Sequence, residues 1–139
     1  MKSTNTPAAF SFQSYQVNKF SYTNPQTEEQ SINIEFQLSG VLKSTENIYL
    51  LTIEFNATYG DEGKVFSNIV SEGIFKFTEP VQIDSIPEYF YANSIAILFP
   101  YLRAFITTLT AVANIKPLIL PTLNLGSLAK PLKDNTTSE

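Results

Sequence analysis

The stretch "NSIAILFPYLRAFITTLTAVAN", Asn93 to Asn114, limits what this chain can fold into more than any other segment. From Tyr89 to Ile115 the one charged residue is Arg103. Ile95, Leu98, Phe99, Leu102, Phe105, Ile106, Leu109, Val112 and Ala113 recur at helical spacing and form one apolar stripe. The other side holds Ala96, Ile97, Pro100, Tyr101, Ala104, Thr108 and Ala111, which is no solvent face. Asn93 or Ser94 suits an N-cap, and Pro100 either kinks the helix or marks its start. Such a helix belongs in a membrane, in a core, or between a sheet and a second subunit. Arg103 inside a span costs about 2.5–3.5 kcal/mol on insertion scales, so no stable membrane insertion is expected. One sheet covers one face only, and large contiguous apolar patches mark interaction sites. The reading is therefore a sheet on one side and a neighbouring subunit on the other.

Four strand-like runs precede the helix. Phe10 to Tyr22 is aromatic, but its alternation slips between parities, which suggests a bulge or a strand covered on both faces. Ile32, Ile34, Phe36 and Leu38 alternate with polar residues, as do Tyr49, Leu51, Ile53, Phe55, Ala57 and Tyr59. Val65 to Phe77 carries apolar residues on both parities, as a strand covered on both faces does. "KSTEN" and "YGDEGK" are turns, so the last three runs read as an antiparallel meander, with the first pairing after a crossover. Pro87 fits the first turn of a short lead-in helix. Residues 1–9 read as a flexible start, 10–130 as one domain and 131–139, "PLKDNTTSE", as a disordered tail.

Composition removes several functions. Charged residues make up 16% of the 139, with a net charge of −4, so no nucleic acid is expected, because phosphate contacts need clustered Lys and Arg. With no Cys and no His, thiol chemistry, the usual zinc ligand sets and histidine bases are gone. No metal, cofactor or catalytic residue is indicated. Glu28-Glu29 and Asp61-Glu62 read as solvated turn carboxylates, and no glycine-rich phosphate loop is present. "MKSTNTPAAFSFQ" lacks the apolar core of a signal peptide, so a cytoplasmic location is expected, and the N-x-T sequences at Asn56 and Asn135 are chance matches.

After the helix, "IKPLILPTLNLGSLA" packs leucines into a segment broken by Pro117, Pro121 and Gly126. It reads either as a crossover that seals the core or as an apolar flap beside a groove. A groove with exposed strand backbone suits extended polypeptide, since main-chain bonds and side-chain pockets need no fixed sequence. The groove candidates are Leu118, Ile119, Leu120, Leu123 and Leu125, with Phe36, Leu38 and Leu42 from the sheet.

"ANSIAILFPYLRAFITTLTAVANIKPLILPTLNLGSLA" resembles the SecB protein-export chaperone family. The L-F-P-Y-x-R core lies at Leu98 to Arg103, the P-x-L-N-L segment at Pro121 to Leu125 and a G-I-F at Gly73 to Phe75. The resemblance spans roughly residues 8–130. It implies an α+β subunit: a four-stranded antiparallel sheet, a long apolar helix and a short second helix. It also implies subunits that join sheets and then pack through their long helices into a homo-tetramer, a dimer of dimers. Phe99, Tyr101, Leu102, Arg103, Phe105, Ile106 and Leu109 are the expected oligomer-interface residues, Arg103 pairing with an interface carboxylate or facing water. The implied activity is ATP-independent holding of unfolded or precursor polypeptides, for export or for a dedicated client such as one of a toxin–antitoxin pair. The family's acidic SecA-docking pattern is replaced by Lys19 and Thr23 on the first strand and Phe66 and Asn68 on the fourth. That substitution argues against the usual SecA handover. An interaction subunit that binds one folded partner and a lipid-associated module are the readings from other classes.

Overall fold

A computed structural model describes residues 9–24, 31–60, 64–115, 118, 120 and 124–139. Alternation of apolar and polar residues builds β1 (Phe10–Tyr22), β2 (Ile32–Lys43), β3 (Ile48–Tyr59) and β4 (Lys64–Phe77). Helix α1 (Glu88–Val112) follows, and α2 (Ala129–Asp134) leads into β5 (Thr136–Ser138). The sheet order is β1-β4-β3-β2-β5. The meander of β2, β3 and β4 is antiparallel, and β1 returns antiparallel beside β4.

Two of the sequence expectations are corrected here. The sheet has five strands of mixed direction, not four antiparallel ones, because β5 pairs parallel with β2 over Gly40 to Leu42. The residues read as a disordered tail form α2 and β5. Leu132, fully buried, anchors α2 in the core, and Lys133 pairs with Glu88 at the start of α1. One buried leucine is enough to dock a short polar helix, yet it leaves almost no periodic signal.

The slipped alternation of β1 has a simple cause. Register shifts fall between Phe12 and Ser14 and between Val17 and Lys19. Each inserts a residue and reverses parity. Phe10, Phe12, Tyr15, Val17, Phe20 and Tyr22 consequently pair with the β4 residues that face α1. On β3 the same face carries Tyr49, Leu51, Ile53, Phe55 and Ala57, all buried. The outer face of β4 is only half-covered at Val70 and Ile74.

Helix α1 begins earlier than Asn93 or Pro100. It starts straight after Pro87, its N-cap, preceded by a 3-10 turn at Ile83–Ser85. Pro100 lies inside the helix and is exposed, as is Ala96 four residues back. The carbonyl that the proline leaves without a donor therefore faces solvent, which limits the cost. Asn114, at φ 58, takes the left-handed position that ends the helix, and Ile115 N donates to Thr110 O across it. The buried side of α1 carries Phe90, Tyr91, Ile95, Leu98, Phe99, Leu102 and Ile106. Phe90 meets the rings of Phe10, Tyr49, Phe75 and Phe77 at 4.8–5.8 Å. Under Leu98 lies Gly73, where a Cβ would stand 3.2 Å from a leucine methyl. The glycine of "GIF" thus lets helix and sheet approach.

Candidate functional site

The candidate site is an edge of the sheet. In an extended strand, N–H and C=O of one residue point to the same side and alternate along the chain. Gly40 N donates to Asn135 O and Leu42 O accepts from Glu139 N, so even-numbered residues of β2 direct their main-chain groups away from β3. Asn135 Nδ2 reaches Leu38 O at 3.1 Å, in agreement. The groups of Ile32, Ile34 and Phe36 point to the same outer side. Among the described residues no strand pairs with them there.

A groove of about 470 Å³ straddles this edge, lined by Phe36, Gln37, Leu38, Ser39, Thr52, Glu54, Leu128, Pro131 and Asn135. Phe36 is half-buried, its ring 5.5 Å from Phe99 and 5.8 Å from Phe55. The groove therefore offers an apolar flank of Phe36, Leu38, Leu128 and Pro131, and a polar flank of Gln37, Ser39, Thr52 and Glu54. An extended polypeptide presents side chains alternately to its two faces, and this geometry meets each alternation with matching chemistry.

Of the expected groove residues, Phe36 and Leu38 line it. Leu42, Leu118 and Leu120 are buried in the core, and Leu125 is half-buried against it. Ile119 and Leu123 lie outside the described residues. The polar flank and the α2 contributions were not anticipated. Thr52 and Glu54 occupy the polar parity of a plain alternating strand, while Leu128 ends the segment read as a crossover or flap and Pro131 opens the residues read as a disordered tail. Tyr49 has its phenol pushed far above the usual range by burial, so it stays neutral and donates hydrogen bonds.

The expected interface residues divide in two. Phe99, Leu102 and Ile106 are buried against the chain's own sheet. Tyr101 and Arg103 are exposed, and Phe105 and Leu109 half-buried. Arg103 lies 5.0 Å above the Phe99 ring and makes no ion pair among the described residues. Tyr101 stacks near Phe12 and Tyr15 at 5.5 and 4.5 Å, and Phe20 meets Phe105 at 5.4 Å. An aromatic seam therefore runs between β1 and α1. It continues into a hollow of about 290 Å³ bounded by Phe20, Ser21, Tyr22, Leu109, Ala113 and Ile115. Phe20 is 57% exposed and Val112 79%, far more than aromatic and aliphatic side chains show in a closed core. Helix α1 is long and apolar enough to cross a membrane, but Phe90, Tyr91, Leu98, Phe99, Leu102 and Ile106 on one side of it are buried in the core. Lys19 and Thr23 are exposed, Asn68 is half-buried and Phe66 is buried.

Residues 4–133 match the sequence model of the preprotein translocase subunit SecB. The chain belongs to the SecB family. It is similar to an uncharacterized protein of Methanocaldococcus jannaschii, 31% identical over 116 residues, covering 79% of this chain and 74% of that one. Among solved structures it is similar to a SecB-like chaperone of Mycobacterium tuberculosis in complex with a ChAD peptide from the HigA1 antitoxin. That match has a TM-score of 0.66 at 15% identity and covers 83% of this chain and 88% of the other. At that identity the likeness is one of fold. The SecB family comprises chaperones rather than enzymes. Among the described residues no three His, Cys, Asp or Glu side chains gather to hold a metal.

Proposed function

We propose that this SecB-family chain is an ATP-independent holdase that binds extended segments of unfolded or precursor polypeptide along the outer edge of β2. The observation that carries the reading is the outward main chain of Ile32, Ile34 and Phe36, unpaired among the described residues, beside a groove with one apolar and one polar flank. Backbone bonds supply affinity for any sequence, and the flanks select apolar segments. Suppressed aggregation of several unrelated unfolded proteins is expected, with no requirement for nucleotide. Ile34→Pro removes one outward donor without touching the β2–β3 ladder, a change that edge strands tolerate. It is expected to weaken client binding about five- to tenfold, the worth of one hydrogen bond plus local blocking. Ile34→Ala, which loses packing but keeps the donor, is expected to bind within about twofold of the parent. Equal loss in both variants would refute binding at the main chain.

A dedicated client is the second reading. The M. tuberculosis neighbour holds a peptide from an antitoxin, and in this chain Lys19, Thr23, Phe66 and Asn68 stand where the acidic SecA-docking surface is expected. A client segment of that kind would use the same edge.

Self-association belongs to the same proposal. The outward side of α1, with Tyr101, Arg103, Phe105 and Leu109, and the aromatic seam along β1 are the surfaces for dimer-of-dimers assembly in the cytoplasm. Ala104→Asp with Ala111→Asp puts two charges on exposed positions of that face. A native mass at or below that of a dimer is expected, with the thermal midpoint within about 3 °C of the parent, since surface substitutions change stability little. A tetramer surviving both charges would remove α1 from the interface.

A further inference from the structure

The outward groups of β2 fall into two halves. Those of Ile32, Ile34 and Phe36 are open among the described residues, whereas Leu38 O, Gly40 N and Leu42 O are taken by Asn135 Nδ2, Asn135 O and Glu139 N. The chain's own C-terminal segment thus occupies the continuation of the edge assigned above to client.

Its hold is slight. Strand β5 makes three register pairs, in the parallel sense that is less stable per residue. Thr137, Ser138 and Glu139 are exposed, and only Thr136 is buried. Thr136 is also its buried side-chain latch. Its Oγ1 donates to Leu132 O at 2.7 Å, which leaves the oxygen to accept from the buried Tyr49 hydroxyl, also at 2.7 Å. Tyr49 reaches across β2 because position 40 is glycine. Three exposed residues, a short parallel ladder and a single buried side chain place the segment at the low end of local stability.

We infer that β5, with Asn135 before it, is a releasable strap, an intramolecular stand-in for client that covers the Leu38–Leu42 half of the acceptor edge and yields to a longer extended polypeptide. The inference rests on the holdase reading. A client that pairs with Ile32 to Phe36 and extends towards Leu42 meets Asn135 and must lift β5. The acceptor edge then grows from Ile32–Phe36 to Ile32–Leu42. Closing the strap lowers apparent affinity by the fraction of molecules in which the full edge is open, so short client segments are indifferent to it and long ones are not.

The test uses three forms of the full assembly and one probe, reduced and carboxamidomethylated α-lactalbumin, which cannot fold. The forms are the parent, a truncation after Asp134, and Val41→Cys/Thr137→Cys. The chain contains no cysteine of its own, so oxidation of the last form ties β5 to β2 at a register pair. Truncation is expected to tighten binding about tenfold, and oxidation of the double-cysteine form to weaken it, reversibly on reduction. If the truncation melts through loss of the Thr136 latch, the oxidised and reduced double-cysteine forms, identical in sequence, still decide. Equal affinity in those two forms overturns the strap while leaving the holdase reading intact. No binding in any form overturns both.

Discussion

Leu102→Asp is expected to leave the chain without a cooperative unfolding transition at 25 °C. Leu102 is fully buried in the middle of α1, packed on the sheet. An aspartate there either carries an unpaired charge out of water or takes up a proton to stay neutral; both cost several kcal/mol. To this is added the lost burial of the leucine, which Leu102→Ala alone would set at about 2–5 kcal/mol. A domain of this size has only about 5–15 kcal/mol in hand. Phe99→Asp, at 2% exposure, is expected to behave alike. Two positions further along, Ala104→Asp faces solvent and is expected to keep the fold. Circular dichroism with a denaturant titration separates the outcomes. A folded Leu102→Asp monomer would mean that this face of α1 packs on a neighbour instead of on its own sheet.

That contrast shows how much of the helix was legible in the sequence. Both faces of α1 are apolar, so periodicity alone does not say which side takes the sheet. Side-chain size narrows the choice: Phe90, Leu98, Phe99, Leu102 and Ile106 lie inside, while Ala96, Ala104, Thr107, Thr108 and Ala111 lie outside, with Tyr101, Arg103 and Val112 as the large exceptions. Bulky side chains fill the gap above a twisted sheet. Small ones let another backbone come close.

The strands were legible because a half-buried strand must alternate, and β2 does so from Ile32 to Ser39 and β3 from Leu51 to Tyr59. The irregular run in β1 was legible as a bulge, since six aromatic and aliphatic residues can share one face only if the register slips twice. The α2–β5 segment was legible only in part: the resemblance implied a short second helix, as α2 is, but not how it docks and not β5. Besides its bonds to the edge of β2, the segment is held by a buried leucine, an ion pair and the Thr136 latch, none of which repeats along the chain. Because the candidate site lies between that segment and β2, its polar flank and its α2 wall were hidden with it. A trace did exist: Gly40 interrupts the alternation in β2, where a glycine signals the close approach of another group.

Gly40→Ala tests that trace. A Cβ at position 40 would lie 1.9 Å from Tyr49 Oη and 2.3 Å from its Cζ, with Tyr49 fully buried. The ring cannot retreat without losing its contacts with Phe90 and Tyr91 at 4.8 and 6.5 Å or its bond to Thr136. Overpacking of this severity is expected to cost about 3 kcal/mol, or roughly 10 °C in the midpoint for a chain of this length. Tyr49→Leu removes the ring, at its own cost of a cavity and an unpaired Thr136 oxygen. In that background the added methyl has room, so Gly40→Ala is expected to cost little. The two substitutions are therefore expected to be non-additive, with a coupling of about 1–3 kcal/mol. The single variant should also loosen β5, because a displaced Tyr49 hydroxyl no longer reaches Thr136, and faster amide exchange at Glu139 would report it. Additive costs, with Glu139 exchange unchanged, would show that the methyl finds space elsewhere and that Gly40, Tyr49 and Thr136 do not act as one unit.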